Sequence, residues 1–210
     1  MSDQAATLRV IRNGDAPSTV AQRERAIAVT GGKGGVGKST VALNLAMAYA
    51  ARGANALMVD TDLGMADLNL LLGVAPGRSM LDVLNGTPVE EALVAAHGIH
   101  LLPALNGSYL LATMGASARR RAFEAIESLA GRFDTLILDV AAGIGANQTA
   151  FAGAVPDTVV VINPEPLSMA DAYACLKVLS IEQGLRHAYV VPNRVASRMQ
   201  ADEIVQRLSS

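Results

Sequence analysis

Short apolar segments alternate with helix-like segments along most of the chain. The apolar segments fall at residues 26–30, 56–60, 99–103, 135–139, 158–163 and 188–192, and Val, Ile, Leu, Ala and Met dominate them. Continuous rather than alternating hydrophobicity indicates strands that are buried on both faces of a parallel sheet. The pattern therefore predicts an α/β fold with a doubly wound, mostly parallel sheet, helices on both faces, and ligands at the carboxyl ends of the strands.

The two ends of the chain depart from this alternation. Residues 1–25 lack periodicity and include turn-forming residues at 12–18, so we expect an N-terminal segment and flexible linker ahead of a domain at 26–210. A helix is predicted over 199–208. Its apolar residues Ile204, Val205 and Leu208 form a stripe too short for a membrane anchor, so we expect them to pack on the core.

Composition narrows the class of protein. The 210 residues are 51% hydrophobic, which excludes disorder for most of the chain, and the net charge of -2 gives no general attraction to nucleic acid. One cysteine excludes a disulfide framework, and Cys175 lies in an apolar helical pattern typical of a buried thiol. The sequence shows no secretory signal and no apolar run long enough to span a bilayer, so we expect a soluble, cytoplasmic protein.

A glycine-rich phosphate-binding loop follows the first predicted strand and precedes a helical pattern, and its spacing is Gly-x-x-x-x-Gly-Lys-Ser. Glycines let successive backbone N–H groups point at a bound anion, and the helix N-terminus adds partial positive charge. Lys38 is expected to reach the β- and γ-phosphates of a nucleotide, and the Ser39 hydroxyl to ligate Mg²⁺. The expected nucleotide-binding residues are Gly32, Gly34, Gly35, Val36, Gly37, Lys38, Ser39 and Thr40.

Lys33 is a second lysine that a phosphate loop does not require. From the start of the loop its side chain could extend to a nucleotide bound by another copy of the chain; a solvated lysine at a variable position is the alternative. Residues 33–40 resemble the variant Walker A motif of the MinD/ParA ATPases, which dimerise around two ATP molecules. The resemblance implies an ATP-bound homodimer in which Lys33 of each protomer reaches the other's phosphates.

Three aspartates end predicted strands at the edge of the sheet where the loop lies. Asp60 and Asp62 follow one run and Asp139 ends another. Carboxylates at this place can hold the water shell of Mg²⁺, although polar residues are also common at strand ends. The resemblance implies that Asp62 positions the attacking water and acts catalytically with Lys33 and Lys38. It also implies that Asp60 and Asp139, the latter a Walker B aspartate, lie at the Mg²⁺ with Ser39.

Two further stretches resemble the switch regions of the same family. Residues 64–73 resemble the first switch and 140–145 the second, in which Gly143 and Gly145 allow a change of backbone conformation when the γ-phosphate leaves. Ala141 stands where MinD has proline, so the stiffness of the second switch is left open. Asn193 follows the last predicted strand, where relatives use an Asn amide to read the adenine edge; a turn-forming Asn is the alternative.

Two stretches resemble the FlhG/FleN-type regulators of flagellar number within that family. Residues 3–9 match the activator motif D-Q-A-x-x-L-R, through Asp3, Gln4, Leu8 and Arg9. In that family the segment docks as a helix on the GTPase FlhF and stimulates GTP hydrolysis, for which Gln4 could orient water and Arg9 stabilise developing charge. Residues 163–173 resemble the P-E-P-x-S-x-x-D-A-Y stretch. There Pro166 is expected to open a helix, with Asp171 in its first turn.

The resemblance implies a slow ATPase that acts as a dimerising switch for flagellar number and placement. Its implied partners are a second copy, FlhF, and flagellar transcription regulators or basal-body proteins. It would act in the cytoplasm or at the cell pole, with membrane association only if a C-terminal helix is missing.

The alternatives are a ParA-type DNA-segregation or other cell-positioning ATPase and a metabolic enzyme. Arg119, Arg120 and Arg121 support the DNA alternative, but a solvated helix face is expected for them. A single cysteine excludes a nitrogenase-type reductase, and no substrate pocket of a ligase can be located.

Overall fold

The computed structural model describes residues 25–62, 67–104, 115–129 and 131–209. Within them, seven strands form one sheet in the order β3-β4-β2-β5-β1-β6-β7. The strands are β1 (Arg25–Thr30), β2 (Ala56–Asp60), β3 (Val94–Ala96), β4 (Ile99–Leu102), β5 (Thr135–Asp139), β6 (Asp157–Ile162) and β7 (Tyr189–Pro192). All neighbouring pairs are parallel except β3 with β4, so the carboxyl ends of six strands meet at one edge.

Seven α-helices and one 3₁₀ turn connect these strands within the described ranges. The helices are α1 (Lys38–Ala50), α2 (Leu68–Leu71), α3 (Met80–Leu84), α4 (Ala116–Ser128), α5 (Ala146–Gly153), α6 (Pro166–Gln183) and α7 (Arg198–Ser209), and the 3₁₀ turn is Val89–Ala92. None of them is long and apolar enough to cross a membrane.

Helices cover both faces of the sheet, which explains the continuous apolar runs. Alternate residues of β1 pack into the apolar cores on opposite faces of the sheet. Ala28 packs with α3 to α6, whereas Ile27 and Val29 pack with α1 and α2. A smaller cluster joins β6 to α6 and α7. The predicted fold class, a doubly wound and mostly parallel sheet, is confirmed.

Strand β3 was not predicted, because three residues on an antiparallel edge give too little pattern. The helix prediction at the C-terminus is confirmed in α7, but the packing prediction is wrong for Val205. Ile204 is buried and Leu208 packs beside it, whereas Val205 lies about 100° further around the helix and is exposed. Cys175 is buried as expected, and burial raises the pKa of its thiol to about 11.

Two expectations about charged residues are wrong. Asp171 lies in the second turn of α6, whose first turn contains no acidic residue, so the helix-dipole argument does not apply. Arg119 is buried, while Arg120 and Arg121 are exposed and Arg120 pairs with Glu124 at 2.7 Å. Three consecutive helical positions span about 200°, so an amphipathic helix packed on a sheet turns one of them inward.

Candidate nucleotide-binding site

The glycine-rich loop lies between β1 and α1, as predicted. Gly35 and Gly37 have φ angles of 75° and 98°, a left-handed conformation that only glycine adopts without strain. Gly37 precedes α1. Lys38 is the first residue of α1 and has a relative exposure of 8%. The loop therefore directs its second lysine into the protein at a helix N-terminus, where an anion is favoured.

Two glycines of the loop allow its close packing on other elements. A Cβ atom at Gly32 would overlap the backbone carbonyl of Asp171 in α6, and one at Gly37 would overlap the side-chain amide of Asn193. Gly34, in contrast, has open space around it. The sequence motif accounts for the glycines of the loop by the close approach of a bound phosphate. At Gly32, the close approach of the Asp171 backbone is a second reason for glycine.

Asn193 braces this loop. Its Nδ2 donates to the backbone oxygen of Val36 at 2.8 Å, and its backbone N–H donates to Ile162 at 2.7 Å. The residue thus links the ends of β6 and β7 to the phosphate loop, a role that sequence reasoning missed because the contact spans 157 positions. Its contact with adenine stays a prediction.

Asp60 and Asp139 form a buried carboxylate pair at the ends of β2 and β5. They occupy paired positions of neighbouring strands, and each is nearly inaccessible to solvent. Burial, and then the charge of Asp139, raises the pKa of Asp60 well above its usual range. Burial raises the pKa of Asp139 to about 6, opposed by a hydrogen bond from the Ser39 hydroxyl and by the charge of Lys38. Among the described residues, Asp60 Oδ2 and Asp139 Oδ1 have no hydrogen-bond partner.

These unpartnered oxygens fit a hydrated Mg²⁺. Mg²⁺ keeps several waters and binds through one or two carboxylates plus substrate phosphates, and not in an all-protein cage. No group of three or more His, Cys, Asp or Glu in the described ranges could hold a metal ion by itself. The structure brings together the predicted residues Ser39, Asp60 and Asp139.

The segment that leads into the first switch region begins at this pair. Asp60 Oδ1 accepts from the backbone of Asp62 at 3.0 Å, and the Asp60 carboxylate also accepts from the backbone of Leu68. Thr61, which sequence reasoning missed, donates through its backbone and its hydroxyl to the backbone oxygen of Asp139, at 3.0 and 2.7 Å. Asp62 is half-buried beside the pair. Residues 64–66 of the predicted switch lie outside the described residues.

The second switch region is tied to β1 and to the phosphate loop. The Val140 N–H donates to Val29 at 2.9 Å, and the Gly143 N–H donates to the Gly31 carbonyl at 3.2 Å. Gly143 has a φ of 108°, so this position needs the conformational freedom of glycine. Ile144, next in the chain, is 51% exposed.

Lys33 and Lys38 have opposite environments. The Lys33 ammonium lies 3.0 Å from the Glu165 carboxylate, just ahead of α6, and the two side chains are 40% and 58% exposed. Lys38 is buried near Asp139. The predicted activator residues Asp3, Gln4, Leu8 and Arg9 lie outside the described residues.

A family model described as ParA, NUBPL iron-transfer P-loop NTPase, matches residues 22–193. The chain belongs to the ParA family of P-loop NTPases. Members of the family that resemble it include antiactivator FleN of Pseudomonas aeruginosa, with 34% identity over 87% of this chain and 66% of FleN. Flagellum site-determining protein YlxH of Helicobacter pylori is 30% identical over 99% of this chain and 72% of YlxH. This chain thus spans about two thirds of FleN.

Solved structures of other proteins share this ParA-family fold. The MinC:MinD cell division protein complex of Aquifex aeolicus matches with a TM-score of 0.75 and 29% identity, over 89% of this chain and 78% of that one. Cobyrinic acid a,c-diamide synthase of Mycobacterium smegmatis, with bound ADP and magnesium, matches with a TM-score of 0.74 and 26% identity over 89% and 81%. Nucleotide hydrolysis by the ParA-family domain follows from these relationships at the level of the family.

Proposed function

We propose that the protein is a slow ATPase that dimerises around ATP and regulates flagellar number and placement. The observation that carries this proposal is the contrast between the two lysines of one loop. Lys38 is buried beside Asp139, where its own nucleotide's phosphates would lie. Lys33 is at the surface and held by an exposed ion pair. Exposed ion pairs contribute little, so Lys33 can exchange Glu165 for a phosphate on a second copy.

The described residues can supply the groups that hydrolysis needs. Mg²⁺, when bound with ATP, neutralises charge on the β- and γ-phosphates, and Ser39, Asp60 and Asp139 would hold it. Lys38 provides a fixed positive charge at the phosphates, and Lys33 of the second copy adds another. Asp62 would orient the attacking water. Hydrolysis and phosphate release would return the protein to monomers.

The flagellar part of the proposal is supported by relatives. FleN is named an antiactivator and YlxH a flagellum site-determining protein, and both match most of this chain. The N-terminal motif supports the GTPase FlhF as a further partner, with Gln4 as the residue that acts on it. The site of action would be the cytoplasm, at the cell pole or the inner face of the membrane. A transcription regulator or a basal-body protein would receive the output.

The DNA-segregation alternative loses part of its support. Arg119 is buried, so the three arginines of that run do not form a continuous basic surface. Strong, salt-dependent retention of the wild-type protein on non-specific DNA would revive it.

The mass of the protein in solution tests the switch. We expect a monomer with ADP and a dimer with ATP or a non-hydrolysable analogue. Lys38→Ala should lose nucleotide binding and stay monomeric, whereas Asp62→Ala should bind ATP, hydrolyse it slowly and accumulate as a dimer. Asp202→Ala, at an exposed position of α7, is the matched control and should behave as wild type. An Asp62→Ala protein that binds ATP yet remains monomeric would refute the switch.

A separate assay tests the FlhF partnership. Gln4→Ala should leave ATP turnover unchanged and remove the stimulation of GTP hydrolysis by FlhF. Full stimulation by this variant would rule out the proposed role of Gln4.

A further inference from the structure

Arg119 makes a buried contact with the helix that follows the second switch. Its side chain projects from α4 with a relative exposure of 8%, and its Nη1 donates to Asn147 Oδ1 at 2.8 Å. Asn147 is the second residue of α5. Burying a guanidinium against a neutral amide is costly, so this arginine is a poor choice for stability alone. A specific task at this contact would explain its presence.

A second contact lies one helical turn further along both helices. Phe123 of α4 and Phe151 of α5 are buried, and their ring centroids lie 4.8 Å apart at an interplanar angle of 45°. Each phenylalanine is four residues after the polar partner on its own helix, so both contacts use the same face of each helix. The aromatic pair holds the helices together, and the polar pair fixes the end of α5 nearest the nucleotide site.

The second switch therefore lies between two attachments. On one side, the Gly143 N–H donates to Gly31 at the phosphate loop. On the other, the Gly145 carbonyl accepts the backbone N–H of Thr149, at 3.0 Å, within the first turn of α5. The exposed Ile144 lies between them. Any movement of Gly143 on nucleotide binding or phosphate loss is thus limited by the position at which α5 begins.

We propose that Arg119 is a positioning residue for ATP turnover, which it controls by fixing the start of α5 and so the geometry of the second switch. This inference rests on the proposed ATPase function. Arg119→Met keeps most of the buried side-chain volume and the Phe123–Phe151 contact but removes the hydrogen bond. Since small misplacements of catalytic geometry reduce turnover by up to about 100-fold, we expect kcat to fall about 5- to 100-fold. Affinity for a non-hydrolysable ATP analogue should stay within about twofold, because the hydrogen bond joins α4 to α5 and not to the phosphate loop.

Matched variants separate positioning from general stability. Arg120→Met removes the neighbouring exposed arginine and should retain wild-type kcat. Asn147→Ala should reproduce the Arg119→Met defect, and the double variant should be no worse than either single one. Asn147→Asp keeps an acceptor oxygen opposite the guanidinium and should retain turnover. If Arg119→Met does not fold, Asn147→Ala carries the test.

A fluorescent reporter gives a readout that does not depend on hydrolysis. The chain contains no tryptophan, so Ile144→Trp places a single reporter in the second switch. We expect Asn147→Ala or Arg119→Met to make this tryptophan more accessible to acrylamide in nucleotide-free protein, whereas Arg120→Met should not. Unchanged quenching together with unchanged kcat would overturn the inference. If wild type neither hydrolyses ATP nor dimerises, the proposed function fails, and quenching alone decides whether Arg119 positions the switch.

Discussion

The Lys33 ammonium lies 3.0 Å from the Glu165 carboxylate of the same chain, across 132 positions of sequence. Both side chains are exposed, and an exposed pair of this kind contributes about 0–1 kcal/mol to stability. The pair thus holds Lys33 at one place on the surface without making its release costly.

Lys33→Gln is therefore expected to separate dimerisation from folding. The free energy of unfolding should change by less than about 1 kcal/mol, and nucleotide should still bind through Lys38. The dimer formed with a non-hydrolysable ATP analogue should be lost in sedimentation experiments. Lys177→Gln, at an exposed position of α6, is the control and should dimerise normally. Normal dimerisation of Lys33→Gln would contradict the role in trans.

Gly32→Ala is expected to destabilise the nucleotide-free protein by about 1–3 kcal/mol, as overpacking usually does, because the added methyl group overlaps the Asp171 carbonyl. Gly34→Ala, in the same loop but with open space around it, should change stability by less than about 0.5 kcal/mol. Chemical denaturation in the absence of nucleotide measures the free energy of unfolding of each variant. Equal effects of the two substitutions would show that close packing on α6 is not what Gly32 provides.

Asn193→Ala is expected to weaken ATP and GTP binding alike. Loss of the 2.8 Å bond to Val36 loosens the phosphate loop, and a hydrogen bond of this kind contributes about 1 kcal/mol, or roughly fivefold in affinity. Titration with fluorescent analogues of both nucleotides measures the effect. A loss confined to ATP would show that base recognition, and not bracing of the loop, is the main role of this side chain.

Asp139→Asn is expected to stabilise the nucleotide-free protein at neutral pH. The pKa of Asp139 is about 6 in the folded protein, above the usual value, so the folded state binds this proton more tightly than the unfolded state. Stability therefore falls as the pH rises from about 4 to about 6, and the penalty is fully present above that range. Removing the buried Asp139 charge should raise the free energy of unfolding by about 1–3 kcal/mol at pH 7.5. The loss of the attraction between this charge and Lys38 reduces that gain.

Thermal unfolding at pH 4 and pH 7.5 checks this prediction, since the gain should disappear at the lower pH. Asp82→Asn is the opposite case: hydrogen bonds from Ser79 lower the pKa of Asp82, so this variant should lose stability at neutral pH. Asp139→Asn should also weaken Mg²⁺-dependent nucleotide binding. A destabilised Asp139→Asn protein would mean that the buried charge is better solvated than the geometry indicates.

The sequence was sufficient to predict features that depend on local pattern. The glycine spacing predicted the loop between β1 and α1, and the apolar runs predicted that Asp60 and Asp139 end strands at one edge of the sheet. Contacts between distant positions were out of reach: nothing near Glu165 indicates that it pairs with Lys33. Burial of Arg119 was missed for a different reason. A run of arginines shows where the helix is polar but not which of its faces meets the sheet.

Asp60 divides its two oxygens between two tasks. Oδ1 holds the backbone at Asp62, whereas Oδ2 has no partner among the described residues. A single carboxylate at the end of β2 thus contacts the segment that leads into the first switch and leaves one oxygen for the proposed Mg²⁺ site. Because asparagine keeps an acceptor oxygen but carries no charge, Asp60→Asn separates the mechanical task from the electrostatic one within a single side chain.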